Sequence, residues 1–164
     1  MTTPDPAAST QQEPPTQWLS ADEQQSWRAY LAATRLLEDA LNSDVQDFGL
    51  QLSEYEILAL LSEADDRHLR MSALADQVLQ SRSRLTHTAS RLEKRGLVQR
   101  RPAEGDRRGV DLHLTDGGFD LLKRIAPVHV ASVRRHLVDR LGAERFALLG
   151  EAMASVRDGV LTRP

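Results

Sequence analysis

The chain of 164 residues contains no cysteine. Disulfides, thiolate metal sites and thiol-based redox sensing are therefore excluded from this polypeptide. Long apolar runs are missing too: the longest, Ile57 to Leu61, falls far short of the ~20 residues that a membrane span requires. A Gly-rich phosphate loop, a nucleophile elbow and a clustered His/Asp/Glu set are all absent, which removes the usual grounds for reading an enzyme. His129 and His136 lie seven apart on a helical stretch, but with no cysteine or acidic residue at ligand spacing they are read as ordinary polar positions, and neither metal nor cofactor is expected. The N-terminus lacks the basic-then-apolar order of a signal peptide. Pro4, Pro6, Pro14 and Pro15 fall there among Thr, Gln and Ser, so residues 1–17 are expected to form a disordered tail and the protein to be cytoplasmic.

What remains is a chain with 40% apolar residues, enough for one compact domain or one protomer of an oligomer. Its charge is unevenly spread. Between Ser81 and Arg108 stand nine basic residues (Arg82, Arg84, Arg91, Lys94, Arg95, Arg100, Arg101, Arg107, Arg108) against three acidic ones (Glu93, Glu104, Asp106), a local formal charge of +6 in a chain of net −3. The other residues, twelve basic and twenty-one acidic, are left at −9. A polyanion is drawn to one face of such a molecule and repelled by most of the rest.

The order of elements explains where that charge sits. Ser20 and Glu23 have capping-box spacing and open a long helix with an apolar stripe through Trp27, Leu37, Leu41 and Val45 that ends near Gly49. Ser53 and Glu56 repeat the spacing before a short apolar helix, and Ser72 is placed to cap another that buries Leu74 and Val78. His68–Arg70 reads as a short third strand. After a turn at Leu79-Gln80, a second helix carries Leu85, Ala89 and Leu92 inward and polar or basic residues outward, closed by Gly96. Residues 97–101 and 110–114 alternate with period two around an arginine-tipped loop. Thr115 caps a helix that Pro127 is expected to kink, and after Gly142 a last stripe runs through Phe146, Leu149, Met153 and Val156. The pattern between Met71 and Thr115 is a winged helix-turn-helix. The fold class is mainly α with a small β-wing. The terminal helices hold more apolar surface than the central lobe can cover, which points to a symmetric dimer.

The chain resembles the MarR family, the multiple-antibiotic-resistance type of bacterial repressors. The likeness rests on LSEYEILALL, on MSALADQVLQSRSRLTHTASRLEKRGLVQRR, on GDRRGVDLHLTDGG, and on the Asp106-x-Arg108 wing followed by Leu114-Thr115-x-x-Gly118. It implies a single MarR-like domain over 18–164, with a DNA-binding lobe at 53–115 and dimerisation helices at 20–48 and 116–161. It also implies a homodimeric repressor on double-stranded DNA, released by a small aromatic or anionic effector. The alternative is a winged-helix module that binds protein without specific DNA binding; such modules tend to lack a basic reading helix and wing arginines.

The residues assigned to DNA are Ser81, Arg82, Ser83, Arg84, Thr86, His87, Ser90 and Arg91 on the second helix and Arg107 and Arg108 on the wing. The small or forked outward donors suit base edges in the major groove. Arginine suits the negative potential of the minor groove, and the family pattern favours Arg108 for it, with Asp106 positioning the loop. Trp27, Tyr30, Phe48 and Tyr55 are packing residues and candidates for the wall of an effector pocket.

Overall fold

The computed structural model describes residues 16–103 and 105–162, and at Arg107 and Arg108 the backbone alone. The expected tail lies outside the described residues up to position 15. Helix α1 (Ala21–Gln46) starts where its capping box predicts. The Glu23 carboxylate accepts from the Ser20 N–H at 2.7 Å, and Ser20 Oγ accepts from the Glu23 N–H at 3.2 Å. These bonds hold the Glu23 carboxyl below its usual range.

Residues up to Thr34 and residues from Arg35 onward form two compact units. In the first, Trp27 and Tyr30 stack at 5.7 Å and both are exposed. The second holds the core. Helix α2 (Leu52–Glu63) buries Tyr55, Ile57, Leu58 and Leu61. Its start differs from expectation, because the box is formed two residues earlier than Ser53-Glu56: the Glu54 carboxylate accepts from the Gln51 N–H at 3.0 Å, and Asn42 Oδ1 accepts from the Leu52 N–H at 2.9 Å. Ser53 already lies inside the helix. The side chain from α1 thus decides where α2 begins.

A 3₁₀ turn at Asp65–Arg67 leads into β1 (His68–Arg70) and α3 (Met71–Gln77). Ser72 is not a cap, since the helix begins at Met71 with Arg70 in the cap position. Leu79 turns the chain with φ +50°, and Ser81 then caps α4 (Arg82–Lys94), accepting from the Arg84 N–H at 3.3 Å. Strands β2 (Val98–Ala103) and β3 (Asp106–Leu114) complete an antiparallel sheet of order β1-β3-β2. Leu112 pairs with Leu69 on one side and Arg100 on the other, so Arg100 shares the inner face.

Helix α5 (Asp116–Val133) is capped by Thr115, whose Oγ1 accepts from the Gly118 N–H at 3.0 Å and reaches the Gly96 carbonyl at 2.8 Å. A Cβ at position 118 would run into the Leu97 carbonyl and Leu114, which is the physical reason for glycine in Leu-Thr-x-x-Gly. Pro127 lies inside α5 without ending it. The loss of one backbone donor is tolerated there because Leu121, Leu122 and Ile125 anchor the preceding turns in the core. A π turn at Arg134–Val138 follows α5, and after it come α6 (Asp139–Leu141) and α7 (Ala143–Leu161). The fold class is as the sequence predicts.

Candidate nucleic-acid interface

Helix α4 owes its two faces to simple periodicity. Leu85, Ala89 and Leu92 are fully buried, against the core of α2, α3 and the sheet. Ser81, Arg82, Ser83, Arg84, Thr86 and His87 are exposed on the other side, and Ser90 is half-buried. Two of the hydroxyls are already engaged as donors: Thr86 Oγ1 to the Arg82 carbonyl at 2.8 Å and Ser90 Oγ to the Thr86 carbonyl at 2.9 Å. What Thr86 offers a base edge is therefore its lone pairs and methyl group rather than a free O–H. Arg84, His87 and Arg91 line an open polar cleft of about 730 Å³ together with Gln51 and Ser53.

The basic residues divide by what they touch. Arg91 Nε donates to Glu54 at 3.0 Å, and Arg95 Nη1 donates to the Gly49 carbonyl at 2.8 Å while standing 3.9 Å from Glu54. Glu54 is 4% exposed, a buried carboxylate that needs such partners. Arg100 is tied to Glu93 at 2.9 Å. The side chains of Arg82 and Arg84 have no such ion pair among the described residues, and both residues are exposed.

The wing is braced from the neighbouring strand. Arg70 of β1 donates to Asp106 Oδ2 at 2.9 Å and lies 3.8 Å from Asp111. A Cβ on Gly109 would stand 2.9 Å from Ala103 Cβ and 3.0 Å from Asp106 Oδ2, so glycine lets the hairpin close on this pair. Asp106 thus has a defined partner that the sequence did not reveal. The candidates Arg107 and Arg108 lie in β3, their side chains outside the described ones. Toward the other end of β3, His68 and His113 face each other in register and stack at 4.6 Å. Burial, then the charges of Arg101 and His68, hold His113 below its usual value, against the opposing pull of Asp111.

The four aromatic candidates divide between the two compact units. Trp27 and Tyr30 stack on each other, Phe48 packs against the core, and Tyr55 is buried with its ring 4.4 Å from that of His129. Burial raises the Tyr55 hydroxyl, with Glu63 adding to it, and lowers His129.

Residues 48–109, which run from just after α1 to the wing, match the family model described as the MarR family. The HTH-type transcriptional regulator PecS of Dickeya dadantii is 35% identical over 60% of this chain, and the match covers 60% of PecS's own length. AbsC, a MarR family transcriptional regulator from Streptomyces coelicolor, is 42% identical, with a TM-score of 0.87 over 90% of this chain and 100% of AbsC. Sco3205 from the same organism, a MarR family transcriptional regulator solved in complex with DNA, is 44% identical over 90% of this chain and 95% of its own, with a TM-score of 0.86. With the helix-turn-helix, the braced wing and these likenesses together, the chain belongs to the MarR family of transcriptional regulators.

Proposed function

We propose that the protein is a homodimeric, sequence-specific DNA-binding regulator that represses from an imperfect inverted repeat, with the exposed face of α4 as its major-groove reader and the β2–β3 hairpin as its minor-groove arm. The observation that carries this reading is the cationic, partly unpaired face from Arg82 to His87 standing clear of a fully buried Leu85-Ala89-Leu92 seam. Regulators act where the DNA is, which supports a cytoplasmic location, and among the described residues no helix is long and apolar enough to cross a membrane.

The dimer reading is supported by α7, which has no buried residue although Phe146, Leu148, Met153, Val156, Val160 and Leu161 are apolar and exposed. Isolated amphipathic helices do not hold such faces to water without a partner. Half-sites about one helical turn, ~10 bp, apart follow from two-fold symmetry. A small aromatic or anionic effector is part of the same reading, carried by the family resemblance.

The test is fluorescence anisotropy on DNA flanking the protein's own gene, against random DNA, at several salt concentrations. Thr86→Ala or His87→Ala is expected to lower operator affinity more than random-sequence affinity, and Arg108→Ala to weaken both. A protein-binding winged-helix module would instead retain no DNA in a salt-dependent way. In light scattering, Leu149→Glu with Met153→Glu is expected to give monomeric or unfolded protein that no longer binds.

A further inference from the structure

Strand β2 carries an arginine on its inner face, opposite Leu112, where period-two alternation calls for an apolar residue. Its side chain is 26% exposed. The Arg100 backbone N–H donates to Glu93 Oε1 at 2.8 Å and Nη1 to Glu93 Oε2 at 2.9 Å; Nη2 donates to the Thr86 carbonyl at 2.8 Å and to Ser90 Oγ at 2.9 Å. Thr86, Ser90 and Glu93 lie at i, i+4 and i+7 of α4, so a single guanidinium grips one edge of the helix over two turns.

We propose that Arg100 is a specificity-determining positioning residue: it fixes the roll of α4 against the β2–β3 hairpin, and so the relative placement of the two DNA-reading elements, without itself contacting DNA. This rests on the DNA-binding reading above. The guanidinium is planar and forked, so its contacts set an angle as well as a distance, which a lysine's single rotatable head does not. The Thr86 carbonyl that it holds lies one residue before His87, and the same strand runs on from Arg100 to the bulge at Pro102/Ala103. A roll of α4 moves every outward side chain together, while a small displacement of the phosphate-neutralising charges matters less, since salt-dependent attraction is long-ranged and tolerant of angle.

The experiment compares wild type, Arg100→Lys, Arg100→Gln and Glu93→Gln for affinity to operator and random DNA and for the slope of log affinity against log salt. Expected is a loss of about tenfold in operator affinity for each variant, with random-DNA affinity and slope close to wild type. Arg100→Lys is expected to fail despite keeping the charge, which separates angle from charge. Equal losses on both DNAs with a slope reduced by about one in Arg100→Gln would make it a phosphate contact and overturn the proposal, as would unchanged discrimination. Glu93→Gln carries the same readouts if the Arg100 variants do not fold. If wild type itself does not discriminate operator from random DNA, the DNA-binding reading has failed, not the clamp.

Discussion

Glu54 at the start of α2, almost completely buried, accepts from Arg91 of α4 at 3.0 Å, so a residue that charge patterning assigns to DNA is also part of the scaffold. Arg95 approaches the same carboxylate at 3.9 Å. Truncation of Arg91 leaves a buried acceptor under-satisfied. Arg91→Ala is therefore expected to destabilise the fold by about 1–3 kcal/mol in urea unfolding. In the Glu54→Gln background the same truncation should cost clearly less, because the two share one interaction. Additive losses would show that the pair is not coupled.

The wing brace behaves differently. Arg70 and Asp106 are each more than 40% exposed at the side chain, and screened pairs of this kind contribute little to global stability, about 0–1 kcal/mol. Arg70→Ala should leave the unfolding midpoint almost unmoved yet weaken DNA binding by freeing the hairpin. Gly109→Ala should do the same from the other side, by pressing a methyl group on Ala103 and Asp106. A large drop in midpoint for either variant would contradict the separation of wing from core.

Gly118→Ala tests the junction of sheet and α5. The nearest obstacle to a Cβ is the Leu97 carbonyl, which is backbone and cannot swing aside. Overpacking of this kind costs about 1–3 kcal/mol. The expected result is a lower unfolding midpoint; an unchanged one would mean that Thr115 and the helix start shift freely.

Stability should also depend on pH through His113 and His129, both held below the ordinary value of 6.5, chiefly by burial. As pH falls through 6.5 the unfolded chain takes up these protons before the folded one does. Stability is therefore full above that value and declines as pH falls toward the lowered folded values. Thermal unfolding between about pH 7.5 and 5.5 should show the midpoint dropping, and His129→Gln should flatten the slope. A midpoint that rises as pH falls would refute this assignment.

Much of this architecture is written in spacing. The inward seam of α4 and the caps at Ser20 and Thr115 follow from period and capping chemistry, and each stands where the sequence places it. Ser53 misleads because motif spacing says nothing about Asn42, ten residues from Leu52 in sequence, whose side chain accepts from the first N–H of α2, and Ser72 misleads because α3 has already begun at Met71. The braces are less legible still. Glu54–Arg91 joins residues 37 apart and Arg70–Asp106 residues 36 apart, and only folding brings them together. Arg100 did leave a trace, a charge at an inner-face position of an alternating strand, which demands buried acceptors.

The left-handed backbone of Asp66, Arg67 and Leu79 has a mechanical consequence. None of the three is glycine, and each such conformation costs on the order of 1 kcal/mol. They flank β1 and α3 on both sides, and α3 itself buries only Leu74 and Ala75. Release of that strain is available only if this segment lets go. Amide protons of α3 should therefore exchange with solvent sooner than those of α2 or α5, so that the first piece of the head to open is the helix just ahead of the reader.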